Sequence, residues 1–258
     1  MLIVHSEGPV ASVTLDRPDI RNAFNEEVIA QLTETFLVLG SSPGVRCIVL
    51  RANGPAFCAG ADLNWMRRMA DYSRDENVAD ARALAGMLRA IYECPKPTIA
   101  RIQGNAFAGG VGLVAACDIA VTADTASFCL SEVKLGLVPA TISPYVIRAM
   151  GARAADRYFM TAEAFDAAEA RRIGLVHEVV AADALDAKVG EITKALCAAG
   201  PAALATCKVL LGDIAEREIN PQLIERTVQC IVDVRASAEA REGLQSFLQK
   251  RKPQWVQP

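Results

Sequence analysis

Phe57-Cys58-Ala59-Gly60-Ala61-Asp62 and Ala108-Gly109-Gly110-Val111-Gly112 are the two stretches that decide the fold. Each is a loop of small residues that follows a predicted parallel strand and runs into a predicted helix. Small residues let another group approach the backbone closely, and an N–H beside a helix start suits a developing negative charge. The N–H groups of Ala61 and Gly109 could therefore form a two-donor oxyanion hole, with each donor worth ~3 kcal/mol in the transition state. A tight strand-to-helix loop is the alternative for either stretch taken alone.

A third stretch, Ser131-Glu132-Val133-Lys134-Leu135-Gly136-Leu137-Val138-Pro139, places a carboxylate at the end of a short apolar strand. A carboxylate in that position serves as general acid or base if desolvation raises its pKa toward neutrality. A surface Glu132 paired with Lys134 is the alternative. Together with the two glycine loops, the position of Glu132 favours the catalytic interpretation.

The rest of the pattern predicts a mixed α/β core followed by helices. Short apolar runs predict strands over residues 10–15, 47–50, 98–102, 119–122, 127–130 and 175–180. Helical periodicity and capping residues predict helices that begin after Asn25, at Asp62 and after the second glycine loop, and over residues 77–92, 184–199, 202–212, 220–235 and 238–249. Asp166 and Glu169 have the spacing of a capping box.

Composition excludes several classes of function. The chain has 258 residues and a net charge of −3, and no basic run suggests nucleic acid. No apolar run approaches the ~20 residues of a membrane span, and residues 1–10 lack the pattern of a signal peptide. Eight cysteines, without a C-x-x-C pair and with only two histidines, argue against a disulfide framework or a metal site. The apolar stretches around Cys47, Cys117, Cys129 and Cys230 predict buried thiols at these four positions. We expect no metal, no membrane association and a reducing, cytoplasmic compartment.

The second glycine loop also fits G-x-G-x-x-A, with Gly110, Gly112 and Ala115, so a dinucleotide site is an alternative. That fingerprint needs a full crossover helix before the next strand, and an acid about 20 residues later. Here the next strand begins near Ile119, which leaves less than two helical turns. The spacing argues against an NAD-dependent oxidoreductase.

The three stretches, in this order, resemble the crotonase (enoyl-CoA hydratase/isomerase) superfamily. The resemblance spans nearly the whole chain. It includes Leu15-Asp16-Arg17-Pro18, Asn22-Ala23-Phe24, Lys96-Pro97-Thr98-Ile99-Ala100, Gly174-Leu175-Val176 and residues 243–252. It implies a spiral of β-β-α units over residues 1–200, and a C-terminal α-helical region over residues 201–258 that builds homo-trimers or hexamers.

The resemblance also implies roles for individual residues. Glu132 is the catalytic acid/base, and Ala61 and Gly109 provide the oxyanion-hole N–H groups. Residues that bind the substrate or its coenzyme A are Arg21, Ala23, Ala59, Asp62, Leu63, Gly110 and Gly112, with Phe247 and Lys250 covering the coenzyme, often in a neighbouring subunit. Coenzyme A is part of the substrate, and no separate cofactor is implied.

A narrower resemblance, over residues 61–68 and 133–145, is to bacterial methylglutaconyl-CoA hydratases of leucine breakdown. Those enzymes add water to a branched, acidic enoyl-CoA. One departure matters: hydratases of the superfamily commonly carry a second glutamate where this chain has Gly112. A single glutamate at the Glu132 position also occurs in enoyl-CoA isomerases, so an isomerase is the alternative within the enzyme class. We also expect Gly112 to leave space beside the reacting carbons, where a branched acyl chain would sit. A non-enzymatic RNA-binding role, reported for some relatives, would require a basic stripe that the sequence lacks.

Overall fold

The computed structural model describes residues 1–215 and 217–256. The strands in this part of the chain are β1 Leu2–Glu7, β2 Val10–Leu15, β3 Cys47–Ala52, β4 Ala56–Cys58, β5 Thr98–Ile102, β6 Asn105–Phe107, β7 Ile119–Ala123, β8 Ser127–Cys129, β9 Phe165–Asp166 and β10 Glu178–Val180. The helices are α1 Glu26–Ser41, α2 Leu63–Met69, α3 Arg74–Tyr92, α4 Gly109–Ala116, α5 Ser143–Thr161, α6 Ala167–Arg172, α7 Leu185–Ala198, α8 Pro201–Ile214, α9 Pro221–Ala236 and α10 Ala238–Leu248.

The strands form two sheets. The larger has the order β1-β2-β3-β5-β7-β10, and all its pairings are parallel except β1 with β2. The smaller has the order β4-β6-β8-β9, in which only β9 is antiparallel. Each of the pairs β3–β4, β5–β6 and β7–β8 places one strand in each sheet before the chain enters a helix. This repeat is the spiral of β-β-α units that the resemblance implied, and the expected fold class is confirmed.

Local capping signals were reliable guides to helix starts. The Asn25 side chain accepts a hydrogen bond from the Val28 N–H, so α1 begins where the sequence predicts. The Asp62 side chain caps α2 in the same way, through the N–H groups of Asn64 and Trp65. The apolar face predicted for α1 is buried in the core; it consists of Val28, Ile29, Leu32, Phe36 and Leu39.

Several predicted elements differ from the structure at their ends, and one predicted cap has different partners. Helix α3 begins at Arg74 rather than at residue 77, because Ser73 forms a full capping box with Glu76. The strand predicted over residues 175–180 is paired only from residue 178 onward. The predicted capping box at Asp166 is half-formed, since the Glu169 carboxylate accepts from Tyr158 and Arg172 instead of from the N-cap backbone.

The sequence patterns did not reveal five elements, which are β1, β4, β6, β9 and α5. Strand β1 lies on the sheet edge and is mostly exposed, so it lacks a buried apolar stripe. Strands β4 and β6 have three residues each and lie inside stretches that turn residues dominate. Helix α5 is interrupted at Gly151, whose φ of 77° breaks the helical periodicity.

Helix α7 packs on the outer face of the larger sheet, where Leu185 and Val189 contact Val49, Ile99 and Val121. The helices that follow are different, because among the described residues of α8, α9 and α10 only Ser246 is buried. One ion pair fastens α8 to the core: Lys208 Nζ lies 2.8 Å from Asp118 Oδ2. A division at residue 200 between core and tail accords with this change, and it stays a prediction.

The structure also bears on the expectations for the cysteines, for a metal site and for a membrane span. All eight cysteines are free, and Cys47, Cys117 and Cys129 are buried as predicted, whereas Cys230 is half-buried. The described residues contain no group of three or more His, Cys, Asp or Glu side chains placed to hold a metal ion. Within residues 1–215 and 217–256 no single helix has the length and apolar composition to cross a membrane; taken together, the bent pair Ala182–Ala198 and Pro201–Ile214 does.

The exposed apolar side of the tail predicts self-association. Ile224, Val228, Ile231 and Val232 are 43–53 % exposed and lie on one side of α9. We expect light scattering to show a trimer or a dimer of trimers. Ile231→Asp should shift the distribution toward monomer, because it places a charge in the apolar contact. Gln222→Asp, on the opposite side of α9, is the matched control and should leave the oligomer intact. A monomeric wild-type protein would contradict this prediction.

Candidate active site

The carboxyl ends of three neighbouring strands bring the predicted catalytic groups together. In the smaller sheet, β4 pairs with β6 and β6 with β8, all parallel. Ala61 follows β4 by three residues, Gly109 follows β6 by two, and Glu132 follows β8 by three. The N–H of Ala108 donates to the Cys129 carbonyl at 2.8 Å, which extends the β6–β8 contact toward these groups. The site therefore lies at the strand edge where parallel sheets place their ligands.

The two glycine loops contact each other more closely than side chains would allow. A Cβ at Gly60 would lie 3.0 Å from Ala108 Cβ and 3.4 Å from the Gly109 nitrogen, and one at Gly110 would lie 2.4 Å from the Cys58 carbonyl oxygen. Gly60 also has φ of +89°, which L side chains rarely adopt. Glycine at these positions is thus a packing requirement. It places residues 58–61 directly against the start of α4.

The backbone around Ala61 leaves its N–H unpaired. Phe24 forms a parallel bridge with Ala61: the Phe24 N–H donates to the Gly60 carbonyl at 2.8 Å, and its carbonyl accepts from the Asp62 N–H at 2.9 Å. In a parallel ladder these bonds involve the residues on either side of Ala61, so its own N–H points away from Phe24. Among the described residues the Ala61 N–H has no acceptor.

Gly109 is the first residue of α4, so its N–H has no partner inside the helix. No described residue outside the helix accepts from it either. The preceding Ala108 has φ 46° and ψ −120°, a conformation that is costly for a residue with a Cβ. This strained turn aims the helix start at the site. The two predicted donors are therefore both unpaired and lie on loops that contact each other.

Asp62 and Arg17 hold the first loop in place. The Asp62 carboxylate accepts from two N–H groups of α2 and from Arg17 Nη2 at 2.9 Å. Burial alone would raise the pKa of Asp62, but these hydrogen bonds and the Arg17 charge outweigh it and hold the pKa below its ordinary value. With both oxygens engaged, the side chain of Asp62 positions the loop rather than facing a ligand.

Asn22 connects two loops and was not assigned a role from sequence. Its side chain is buried, donates to the carbonyls of Asn53 and Ala56 at 2.8 Å, and accepts from the Arg17 N–H at 2.8 Å. Its φ of 56° is one that asparagine tolerates better than most residues. The remaining sequence signal is the Asp-Arg-Pro turn before it, which indicates a turn but not this network.

Glu132 is the first residue of a short 3-10 helix after β8. It is half-buried, and its Oε2 is buried without a hydrogen-bond partner among the described residues. Burial raises the pKa of Glu132 above its ordinary value. No ion pair joins it to Lys134 in the described part of the chain. The alternative of a surface glutamate paired with Lys134 is therefore wrong.

Gly112 does not leave open space, contrary to the expectation that a branched acyl group would occupy room beside it. A Cβ there would lie 2.3 Å from Ile142 Cγ2 and 3.6 Å from Leu88 Cδ2. Ile142 was not recognised as a site residue, because it is 30 positions from Gly112 in sequence and no local pattern connects the two.

The other predicted binding residues surround the site in different ways. Ala23 is buried, and the Ala59 N–H donates to the Arg21 carbonyl at 2.9 Å, so these three residues form one connected edge. Arg21 is exposed, as is Leu63 at the start of α2. Phe247 and Lys250 are also exposed, Phe247 to 79 %. Contacts within one chain therefore do not hold Phe247 or Lys250 in the site.

A family model described as enoyl-CoA hydratase/isomerase matches residues 5–258. The chain belongs to the enoyl-CoA hydratase/isomerase family. Among relatives in this family, it is 38 % identical to "Enoyl-CoA hydratase ACTT6" of Alternaria alternata over 91 % of this chain and 77 % of that protein. It is 33 % identical to "Enoyl-CoA isomerase/hydratase fer4" of Mycosarcoma maydis, over 95 % and 91 %. A crystal structure of an enoyl-CoA hydratase from Shewanella pealeana ATCC 700345 superposes with a TM-score of 0.96 at 44 % identity, covering 98 % of this chain and 95 % of that one.

The raised pKa of Glu132 predicts a pH-dependent stability effect. Above the unfolded-state value of about 4.5, the unfolded chain has released a proton that the folded protein still holds. The contribution of Glu132 to folding stability is therefore complete below that pH, and it is lost as the pH rises through the pKa of Glu132 in the folded protein. We expect Glu132→Gln to raise the melting temperature at pH 8 and to lose that gain at pH 4. Glu7→Gln, at an exposed position, is the control; an equal shift at both pH values in the Glu132 variant would contradict the assignment.

Proposed function

We propose that the protein hydrates an α,β-unsaturated acyl-CoA through a thioester enolate, with Glu132 as the acid and base. The observation that carries this proposal is the position of Glu132, whose Oε2 is buried, at the same strand edge as two N–H groups; none of the three has a hydrogen-bond partner among the described residues. The N–H groups of Ala61 and Gly109 would bind the thioester oxygen. Family membership supports an enoyl-CoA as the substrate class.

Both halves of the reaction can use one carboxylate. Ionised Glu132 takes a proton from water while the water oxygen forms a bond to Cβ. The electron pair of the Cα–Cβ double bond then moves toward the thioester oxygen, where the two N–H groups stabilise the enolate. Protonated Glu132 returns the proton to Cα. The net change is one molecule of water added, with no oxidation or reduction and no separate cofactor.

We place coenzyme A along the edge formed by Arg21, Ala23 and Ala59, with Leu63 exposed beside it. Phe247 and Lys250 of a neighbouring subunit would cover it, which accords with their exposure in one chain. Nucleic acid has no part in this proposal, and the cytoplasmic location stays a prediction.

The acyl group that we propose is 3-methylglutaconyl or a related branched, acidic chain. Its distal carboxylate would need a cation. Arg68 forms a salt bridge with Glu26, and Arg67 donates to Asn64 Oδ1 at 2.5 Å, whereas no described residue forms a salt bridge with Lys134. Lys134 lies two residues after Glu132 in the same short 3-10 helix, so the two groups lie in one neighbourhood. Lys134 is therefore the cation that we assign to the substrate carboxylate.

An enoyl-CoA isomerase is the second candidate. Position 112 is a glycine, and the apolar side chain of Ile142 fills the space beside it. Neither residue offers a second carboxylate. A single base could instead carry a proton between two carbons of the acyl chain. A panel of enoyl-CoA thioesters read by mass spectrometry separates the two reactions, since hydration adds the mass of water and isomerisation adds none. Isomers alone, without any hydrated product, would overturn the proposed hydration.

Removing the titratable proton of Glu132 should abolish most turnover. Glu132→Gln keeps the side-chain shape, and we expect kcat to fall on the order of 10²-fold or more while acetoacetyl-CoA still binds in calorimetry. Glu7→Gln is the control and should turn over normally. Near-normal kcat in Glu132→Gln would show that another carboxylate is the acid and base.

Lys134 should make the enzyme prefer acidic over neutral acyl-CoA substrates. We expect higher kcat/KM for 3-methylglutaconyl-CoA than for crotonyl-CoA in the wild-type protein. Lys134→Gln should raise KM for the acidic ester by about 10-fold and leave that for crotonyl-CoA unchanged, since it removes one charged partner. Arg67→Gln is the matched control with little expected effect. Equal rates on both esters in the wild-type protein would refute the preference.

A further inference from the structure

Three glycines of α4 each contact a different part of the fold. A Cβ at Gly109 would lie 2.4 Å from Phe24 Cζ, one at Gly110 would lie 2.4 Å from the Cys58 oxygen, and one at Gly112 would lie 2.3 Å from Ile142 Cγ2. The first two contacts build the loops that carry the unpaired N–H groups. The third contact belongs to neither loop and joins α4 to the segment that follows Glu132.

Ile142 is held firmly in that segment. It is 2 % exposed, and its carbonyl accepts from the N–H groups of Tyr145 and Val146 at 3.1 Å, so it begins α5. The other end of the segment is tied at Glu132, whose carbonyl accepts from the Leu137 N–H at 3.1 Å. Ile142 and the backbone of Glu132 are thus held at the two ends of one short segment.

Gly112 lies three residues after Gly109, so the two occupy the same side of α4, one turn apart. The Ile142 methyl that contacts Gly112 is therefore about one helical turn from the N–H that would bind the thioester oxygen. At that distance from the thioester, an acyl group presents Cβ and its substituents. This placement rests on the proposed function, which seats the thioester at Gly109.

We infer that Ile142 is a specificity-determining residue. Its side chain occupies the place of a side chain at position 112 and forms an apolar wall that limits the room for substituents at Cβ. Neither Ile142 nor Gly112 brings a polar side-chain atom to that place. Gly112 is the partner that makes this possible, since any Cβ there would displace Ile142.

Acyl selectivity tests the wall without any turnover. Butanoyl-CoA and 3,3-dimethylbutanoyl-CoA are saturated and cannot be hydrated, so calorimetric affinities report fit alone. We expect Ile142→Ala to shift the ratio of the two Kd values by about 10-fold in favour of the bulkier ester, as methylene-sized changes in apolar pockets do. Leu88→Ala, which removes the neighbour 3.6 Å from the same position, is the matched control and should not shift the ratio. An unchanged ratio in Ile142→Ala would overturn the inference.

A stability cycle tests the pairing of Gly112 with Ile142. We expect Gly112→Ala to lower the melting temperature in the wild-type background and to have little effect in the Ile142→Ala background, because the clash has been removed. An equal loss in both backgrounds would refute the pairing. Failure of the proposed hydration is a separate outcome, recognised when the saturated esters bind but no enoyl-CoA gains the mass of water.

Discussion

The close contact between residues 58–61 and the start of α4 is the constraint on which the rest of the structure depends. A Cβ added at Gly60 or Gly110 would lie only 2.4–3.4 Å from backbone atoms and small side chains, and would force the two loops apart. The loops follow parallel neighbours β4 and β6, so the sheet aligns them before they meet. Because each loop runs into a helix, their contact brings together two N–H groups that have no acceptor among the described residues. An oxyanion could be held here by backbone alone, which explains why the site needs few polar side chains.

The surroundings of Glu132 complement that hole. Its burial disfavours the charged form and raises its pKa, which makes it a better match for moving protons near neutral pH. Asp62, the residue directly after the donor Ala61, has the opposite environment: hydrogen bonds and the Arg17 charge keep its pKa below its ordinary value. The structure thus separates one carboxylate that stays ionised and fixes a loop from one that can gain and lose a proton. That division of tasks results from the partners of each group, since both residues lie next to a strand end.

The sequence predicted those features that depend on neighbours along the chain. Asn25 and Asp62 cap helices through N–H groups two or three residues away, so these caps were recognisable. The glycine loops were recognisable from their composition. Features that depend on distant contacts were not. The three-residue strands β4 and β6 exist because each has a partner in the smaller sheet, and the Glu169 carboxylate is drawn from its expected cap to Tyr158. The contact of Ile142 with Gly112 is the clearest example of a feature that the sequence could not predict. A glycine in the sequence does not show whether the space beside it is open or is filled by a distant side chain.

The filled space at Gly112 changes how water addition must be understood. A bound water typically needs about three hydrogen-bond partners, and Gly112 and Ile142 provide no polar side-chain atom. In the proposed hydration, water next to Cβ would therefore be held by Glu132, by backbone groups and by the substrate itself. A substrate with its own distal carboxylate brings an acceptor that a crotonyl group lacks. An acidic acyl chain would thus favour hydration in two ways, by pairing with Lys134 and by supplying part of the hydrogen bonding that a second glutamate provides elsewhere in the family.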